Sequence, residues 1–235
     1  MKLVLLPVLD GTGELFERFI GALDDDIEAV VVRYPNTEVL GYAELENLVR
    51  AALPADAPFF VLGESFSGPI AIALAAEAPA RLKGLVLCCT FARNPYPHFG
   101  ALRWMVDFMP HAQATMSFMN HLLLGRFSTP PLRAAIADAL SRVKPDVMRA
   151  RVRAVLSCDV SDRLGQVGVP TLYLQAAHDP VVPTAAWKWI QRHRPEARMV
   201  EFDAPHFLLQ SLPEETARVV CAFIRETQHK GSAAS

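Results

Sequence analysis

One stretch sets the terms for the whole chain: Phe59-Phe60-Val61-Leu62-Gly63-Glu64-Ser65-Phe66-Ser67-Gly68-Pro69, running on into Ile70-Ala71-Ile72-Ala73-Leu74-Ala75. A short apolar run of aromatic and β-branched residues reads as a buried strand, and the alanine-rich run after it as a helix. A strand without a polar face belongs in a mostly parallel sheet covered on both sides. Gly63 keeps side-chain bulk out of the turn between the two elements, and Pro69 falls early in the helix, where its missing N–H costs little. Ser65 is thereby held on a tight strand-to-helix turn, with Oγ exposed and the next backbone N–H available to an oxyanion, as a nucleophilic serine requires. The Gly-x-Ser-x-Gly spacing is completed one residue late, because Ser67 occupies the position of the second glycine and Gly68 follows it.

The flanking sequence repeats the strand–helix alternation. Leu3 to Leu6 is a strand candidate, Asp10-Gly11-Thr12-Gly13 a turn, and Glu14 to Leu23 a helix with Leu15, Phe16, Phe19, Ile20 and Leu23 at helical spacing. Ile27 to Val32, Tyr42 to Leu53 and Leu85 to Cys89 read as strand, helix and strand. From about Phe91 to Arg163 the alternation gives way to helical apolar spacings divided by prolines. The sheet pattern then resumes with a strand at Pro170 to Gln175, a helix at Thr184 to His193, a strand at Arg198 to Phe202 and a closing helix at Pro213 to Glu226. The organisation expected is an α/β core over residues 1–90 and 164–230, a helical cap over 91–163 and a loose tail over 231–235. The cap would lie over the carboxyl ends of the strands, where such sheets bind ligands.

The chain has 235 residues and is 51% hydrophobic, enough for one large core. A net charge of −2 with interspersed signs gives no reason to expect nucleic acid. Cys88, Cys89, Cys158 and Cys221 form no CxxC pair and sit mostly in apolar runs, as reduced core thiols do. The apolar start Leu3-Val4-Leu5-Leu6 is too short for a signal peptide, and no run is long enough to cross a membrane, so a cytoplasmic protein is expected. His98, His111 and His121 lack partners at ligand spacing, and no metal or cofactor is expected.

Asp179 directly follows the strand candidate at Pro170 to Gln175, and His206 follows the one ending at Phe202. On a parallel sheet both lie at the carboxyl edge with Ser65. Histidine is a general base near neutral pH, and a carboxylate behind it fixes its tautomer. The chain order Ser65, Asp179, His206 is the order this fold uses. Asp159 and Asp162 are the competing acids, with Asp162 more simply capping a short helix. His178 reads as loop structure, and Glu64 either orders the turn or makes the site more acidic.

With these residues assembled, the chain resembles the α/β-hydrolase superfamily over nearly its whole length, and within it the small cap-bearing esterases and thioesterases related to pimeloyl-carrier-protein methyl ester esterases. The opening Leu6-Pro7-Val8-Leu9-Asp10-Gly11-Thr12-Gly13 is similar to the Leu-Pro-Gly-x-Asp-Gly-Thr-Gly opening of some hydrolases and plant acyltransferases, with Val8 at a glycine position. The resemblance implies that the backbone N–H groups of Leu9 and Phe66 form the oxyanion hole. It also implies a sheet of about six strands, since the chain begins at what the superfamily counts as its third. The activity expected is hydrolysis of a carboxylic ester or thioester with a modest apolar acyl group. Acyl transfer by the same triad and an inactive binding protein are the alternatives. Trp104, Phe108, Met109 and Phe118 are candidates for the acyl pocket. Between Arg126 and Arg153 seven basic residues face two acidic ones, and Arg149, Arg151 and Arg153 are candidates for steering an acyl carrier protein or coenzyme A.

Overall fold

The computed structural model describes residues 1–98 and 123–232. Six parallel strands form one sheet in the order β2-β1-β3-β4-β5-β6, which meets the expected strand count. They are β1 (Lys2–Leu6), β2 (Glu28–Val31), β3 (Phe59–Glu64), β4 (Leu82–Cys88), β5 (Thr171–His178) and β6 (Arg198–Pro205). Leu5 pairs with Leu62, Leu62 with Val86 and Val86 with Leu172, so the register is continuous across the middle of the sheet.

Each central strand is buried on both sides because its alternate residues enter two different cores. Val4, Val61, Leu85 and Tyr173 pack with Leu45 and Val49 of α2 (Tyr42–Ala52) and Ile70 and Leu74 of α3 (Gly68–Ala76). Leu5, Leu62, Val86 and Leu174 pack on the other side with Phe19 of α1 (Glu17–Gly21) and with Val220 and Phe223 of the long C-terminal helix. Full burial of one such side chain contributes about 1.5–3 kcal/mol.

The chain runs outward from β1 to β2 and then returns to β3 on the other side of β1. The carboxyl ends of β1 and β3 therefore flank the switch point of the sheet, the place where α/β folds leave a crevice. The loop after β1 and the turn carrying Ser65 meet there.

Between β4 and β5 lie α4 (Pro130–Ser141) and α5 (Pro145–Leu156), each with proline in its first turn. The Thr129 hydroxyl accepts the Leu132 N–H at 3.4 Å and caps α4. Leu123, Leu132 and Ile136 pack on Val8 after β1 and Phe207 after β6, which joins this segment to the carboxyl edge. Trp104, Phe108, Met109 and Phe118 lie outside the described residues, as do His111 and His121.

Several boundaries differ from the sequence expectation. The helix expected from Glu14 begins with a 3-10 turn at Glu14–Phe16, and α1 follows. The strands before Asp179 and His206 are longer than expected, reaching His178 and Pro205, so both residues directly follow a strand end. The short α6 (Ser161–Leu164) precedes β5 and α7 (Thr184–His193) follows it; after β6 come the unanticipated α8 (Leu208–Ser211) and then α9 (Pro213–Ser232). Helix α9 takes in Gly231 and Ser232, the first two residues of the expected tail. The four cysteines are free and buried.

Candidate active site

Ser65 has φ of +49°, a left-handed conformation that a non-glycine residue adopts only when its surroundings impose it. The surroundings are tight. A Cβ at Gly63 would lie 2.7 Å from the Ala71 Cβ, and a Cβ at Gly68 would overlap the Thr90 side chain. Gly68 is thus the glycine the turn needs, and the late spacing is accommodated at Ser67. The Ser67 hydroxyl donates to the Pro7 carbonyl and lies 2.7 Å from the Tyr34 hydroxyl, so it ties the Ser65 turn to the loop after β1. Thr90 Oγ1 donates to the Ser65 carbonyl, while Tyr42 Oη donates to the Phe66 carbonyl at 3.0 Å and its ring stacks on Phe66.

Ser65, Asp179 and His206 meet at this edge. Ser65 Oγ is 2.9 Å from His206 Nε2, and His206 Nδ1 is 2.7 Å from Asp179 Oδ2. The other Asp179 oxygen accepts the N–H groups of Val181 and Val182, both at 2.8 Å, so the carboxyl group is fixed at both ends. The side chains of His206 and Asp179 are 4% and 3% exposed. With Nδ1–H directed at a carboxylate, Nε2 is left as the acceptor for the Ser65 hydroxyl. Burial pulls the His206 pKa down, but the charge and hydrogen bond of Asp179 outweigh it and leave the pKa raised above 6.5.

Asp159 and Asp162 stand apart. Asp159 Oδ1 accepts the Ser161 N–H at 3.0 Å, so Asp159 rather than Asp162 serves the start of α6. His178 Nε2 lies 2.6 Å from exposed Asp203, in a surface cluster with Arg126.

The loop after β1 keeps Val8 at negative φ; its left-handed positions fall on Gly11 (φ +73°) and Gly13 (φ +72°), which explains how valine stands at a glycine position of the motif. Leu9 and Phe66 line a cavity of about 310 Å³ together with Ser65 and His206. The rest of its wall is largely apolar and includes Leu123, Ile136, Leu140, Val152, Val155 and Val181. No Lys or Arg is among its described lining residues.

The candidate steering arginines have other engagements. Arg151 is only 2% exposed and donates to the carbonyls of Leu9, Asp10 and Pro35 at 2.7–3.0 Å, so it is a buried clamp and not a surface charge. Arg149 pairs with Asp146 at 2.5 Å. Arg153 has interaction partners of its own. Glu64 is 1% exposed and accepts from Gln210 Nε2 at 3.1 Å. Tyr34, Thr90 and Gln210 went unnoticed in the sequence, although Tyr34 and Thr90 could have been found as polar residues just beyond strand ends. Among the described residues no three His, Cys, Asp or Glu side chains gather as a metal site. No described helix is long and apolar enough to cross a membrane.

Residues 41–203 match the family described as serine aminopeptidase, S33, of the α/β-hydrolase class. The chain belongs to this family. The hydrolase is 28% identical over 185 residues to a pimeloyl-[acyl-carrier protein] methyl ester esterase of Nitrosomonas europaea, covering 73% of each chain. It is 25% identical over 214 residues to a pyrrolizixenacetamide deacetylase of Xenorhabdus hominickii, covering 87% of this chain and 76% of that one. Its fold is similar to that of an enol-lactonase from Burkholderia xenovorans LB400, with a TM-score of 0.83, 19% identity, and coverage of 95% and 91% of the two chains.

Proposed function

We propose that this hydrolase is a serine esterase that cleaves a carboxylic ester or thioester with a modest apolar acyl group through an acyl-enzyme. The observation that carries the reading is the continuous Ser65–His206–Asp179 hydrogen-bonded chain opening onto an apolar cavity. His206 Nε2 takes the Ser65 proton as Oγ attacks the carbonyl carbon, and Asp179 stabilises the imidazolium. The N–H groups of Leu9 and Phe66 receive the developing oxyanion. His206 then protonates the leaving oxygen or sulfur, and in the second half of the cycle it activates the water that releases the acid.

An uncharged acyl chain suits a wall with no cation among its described residues. The similarity to a pimeloyl-[acyl-carrier protein] methyl ester esterase supports a carboxylic ester as the substrate class. With Arg151 buried and Arg149 paired, small neutral esters rank ahead of carrier-linked substrates. A graded panel of p-nitrophenyl esters and acyl thioesters, with fluorophosphonate labelling of the folded protein, tests the reading. Turnover and labelling that both vanish in Ser65→Ala support it. Wild-type protein that neither turns over nor labels would leave a binding protein, and release of acyl product only with an added alcohol would make it a transferase.

A further inference from the structure

Among the described residues, Arg151 is the one charged side chain in the group of largest fully buried residues, and nothing in the proposed chemistry uses it directly. A buried guanidinium is costly unless its donors are satisfied. Here three of its five N–H donors are met, all by backbone. Nη1 donates to the Leu9 carbonyl at 2.9 Å and the Asp10 carbonyl at 2.7 Å, and Nη2 to the Pro35 carbonyl at 3.0 Å. Gly11 makes room for it, since a Cβ there would lie 2.6 Å from Nη1.

These bonds bear on the direction of one N–H. The Val8 carbonyl accepts the Gly11 N–H at 3.0 Å. In a planar trans peptide the Leu9 N–H points opposite to that carbonyl, out of the turn. The peptide plane on the other side of Leu9 is held by Arg151 through the Leu9 carbonyl. With both planes fixed, the Leu9 N–H cannot swing. Arg151 meanwhile belongs to α5, whose next residues Val152, Val155 and Leu156 line the acyl cavity.

We infer that Arg151 is a positioning residue that locks the oxyanion-binding loop to the cavity-wall helix, so that acyl groups seated against α5 are presented to a correctly aimed Leu9 N–H. The inference rests on the serine-esterase reading for its catalytic consequence, but the clamp itself can be tested without turnover.

The test uses whole-protein Arg151→Met and Arg151→Lys variants, with Arg133→Gln, an exposed arginine of α4, as the control. Amide hydrogen exchange over residues 8–13 should accelerate in Arg151→Met, less in Arg151→Lys, and stay at the wild-type rate in the control, while β3 and β5 remain protected. On a neutral p-nitrophenyl ester, kcat should fall about 10- to 100-fold with KM within about threefold, because a donor to the oxyanion acts in the transition state and not in ground-state binding. In a third variant, Arg151→Ala, which leaves space for the missing group, added ethylguanidinium should restore part of kcat. Unchanged loop exchange would overturn the clamp whatever the enzyme's substrate. Faster exchange throughout the sheet, or a rise in KM at constant kcat, would reduce Arg151 to a packing residue. Wild-type turnover in Ser65→Ala would defeat the esterase reading and leave the exchange result to decide the clamp alone.

Discussion

The two walls of the cavity are built on different principles. On the sheet side, Ser65, Asp179 and His206 each follow directly on a strand end, and neighbouring strands in register hold those ends in place. On the opposite side, α4 and α5 meet the sheet through side chains: Ile136 and Leu132 on Val8 and Phe207, and Arg151 on the loop after β1. Backbone ladders set reacting atoms to within tenths of an ångström, whereas a wall of apolar contacts can be repacked. On the proposed reading chemistry falls to the first wall and selectivity to the second, so the largest mutational effects are expected on the sheet side.

Ser65→Ala should reduce kcat by about 10³-fold or more with little change in melting temperature, since it removes one small polar atom from a held turn. Asp179→Asn should cost about 10²- to 10⁴-fold by disturbing the His206 tautomer. Steady-state turnover on one p-nitrophenyl ester, with the folded fraction checked by circular dichroism, measures both. A Ser65→Ala enzyme as active as wild type would remove the sheet side from the chemistry.

The wall helices are tested by selectivity. Val152→Phe adds bulk to the cavity lining on α5. A methylene in such a pocket is worth about 1–3 kcal/mol, so kcat/KM for the longest acyl group tolerated should fall about tenfold or more relative to acetyl. An unchanged acyl-length profile at equal folded fraction would mean that the acyl group lies elsewhere.

The contrast also explains what could be read in advance. Strand-end placement follows from local pattern: an apolar run, a turn and then a chemically apt residue locate Ser65, Asp179 and His206 without knowledge of the tertiary structure. Arg151 shows where such reading stops. It sits on an amphipathic helix with two other arginines, and nothing in the order of residues distinguishes it from Arg149 or Arg153. Its burial is decided by three carbonyls, of Leu9, Asp10 and Pro35, more than a hundred positions away in the chain. Ser67 is a similar case, because its fit depends on Pro7 and Tyr34, which only the sheet order brings together.

A smaller effect is expected in the pH profile. The His206 pKa is raised above 6.5 by Asp179 against the opposing effect of burial, and Nε2 must be unprotonated to act. The acid limb of kcat/KM should therefore have its midpoint above about pH 6.5. The same shift adds stability that is fully present below the unfolded value and is lost as pH rises through the folded one. An acid limb at or below the ordinary histidine value would mean that Asp179 does not charge-stabilise the imidazolium.

The smallest effect on turnover is expected beside the nucleophile itself. Glu64 is buried next to Ser65 in sequence, and burial pushes its pKa up to about 8, with the Gln210 hydrogen bond and the His206 charge only partly opposing the rise. Glu64 Oε1 and Gln210 Oε1 have no hydrogen-bond partner, while Gln210 Nε2 donates to Glu64 Oε2. With its pKa pushed up to about 8, Glu64 is mostly protonated at neutral pH, and the Gln210 hydrogen bond links the Ser65 turn to α8. Glu64→Gln preserves shape and neutrality, and kcat/KM near pH 7 should stay within about twofold of wild type. Stability should part the two proteins. The unfolded glutamate releases its proton near 4.5 while the folded one keeps it to about 8, so stability is lost as pH rises between those values. Between about pH 5 and about pH 9 the wild-type melting temperature should therefore fall further than that of Glu64→Gln. Parallel curves for the two proteins would mean that Glu64 is already ionised in the fold, and a displaced acid limb in the variant would mean that its charge, and not its shape, bears on His206.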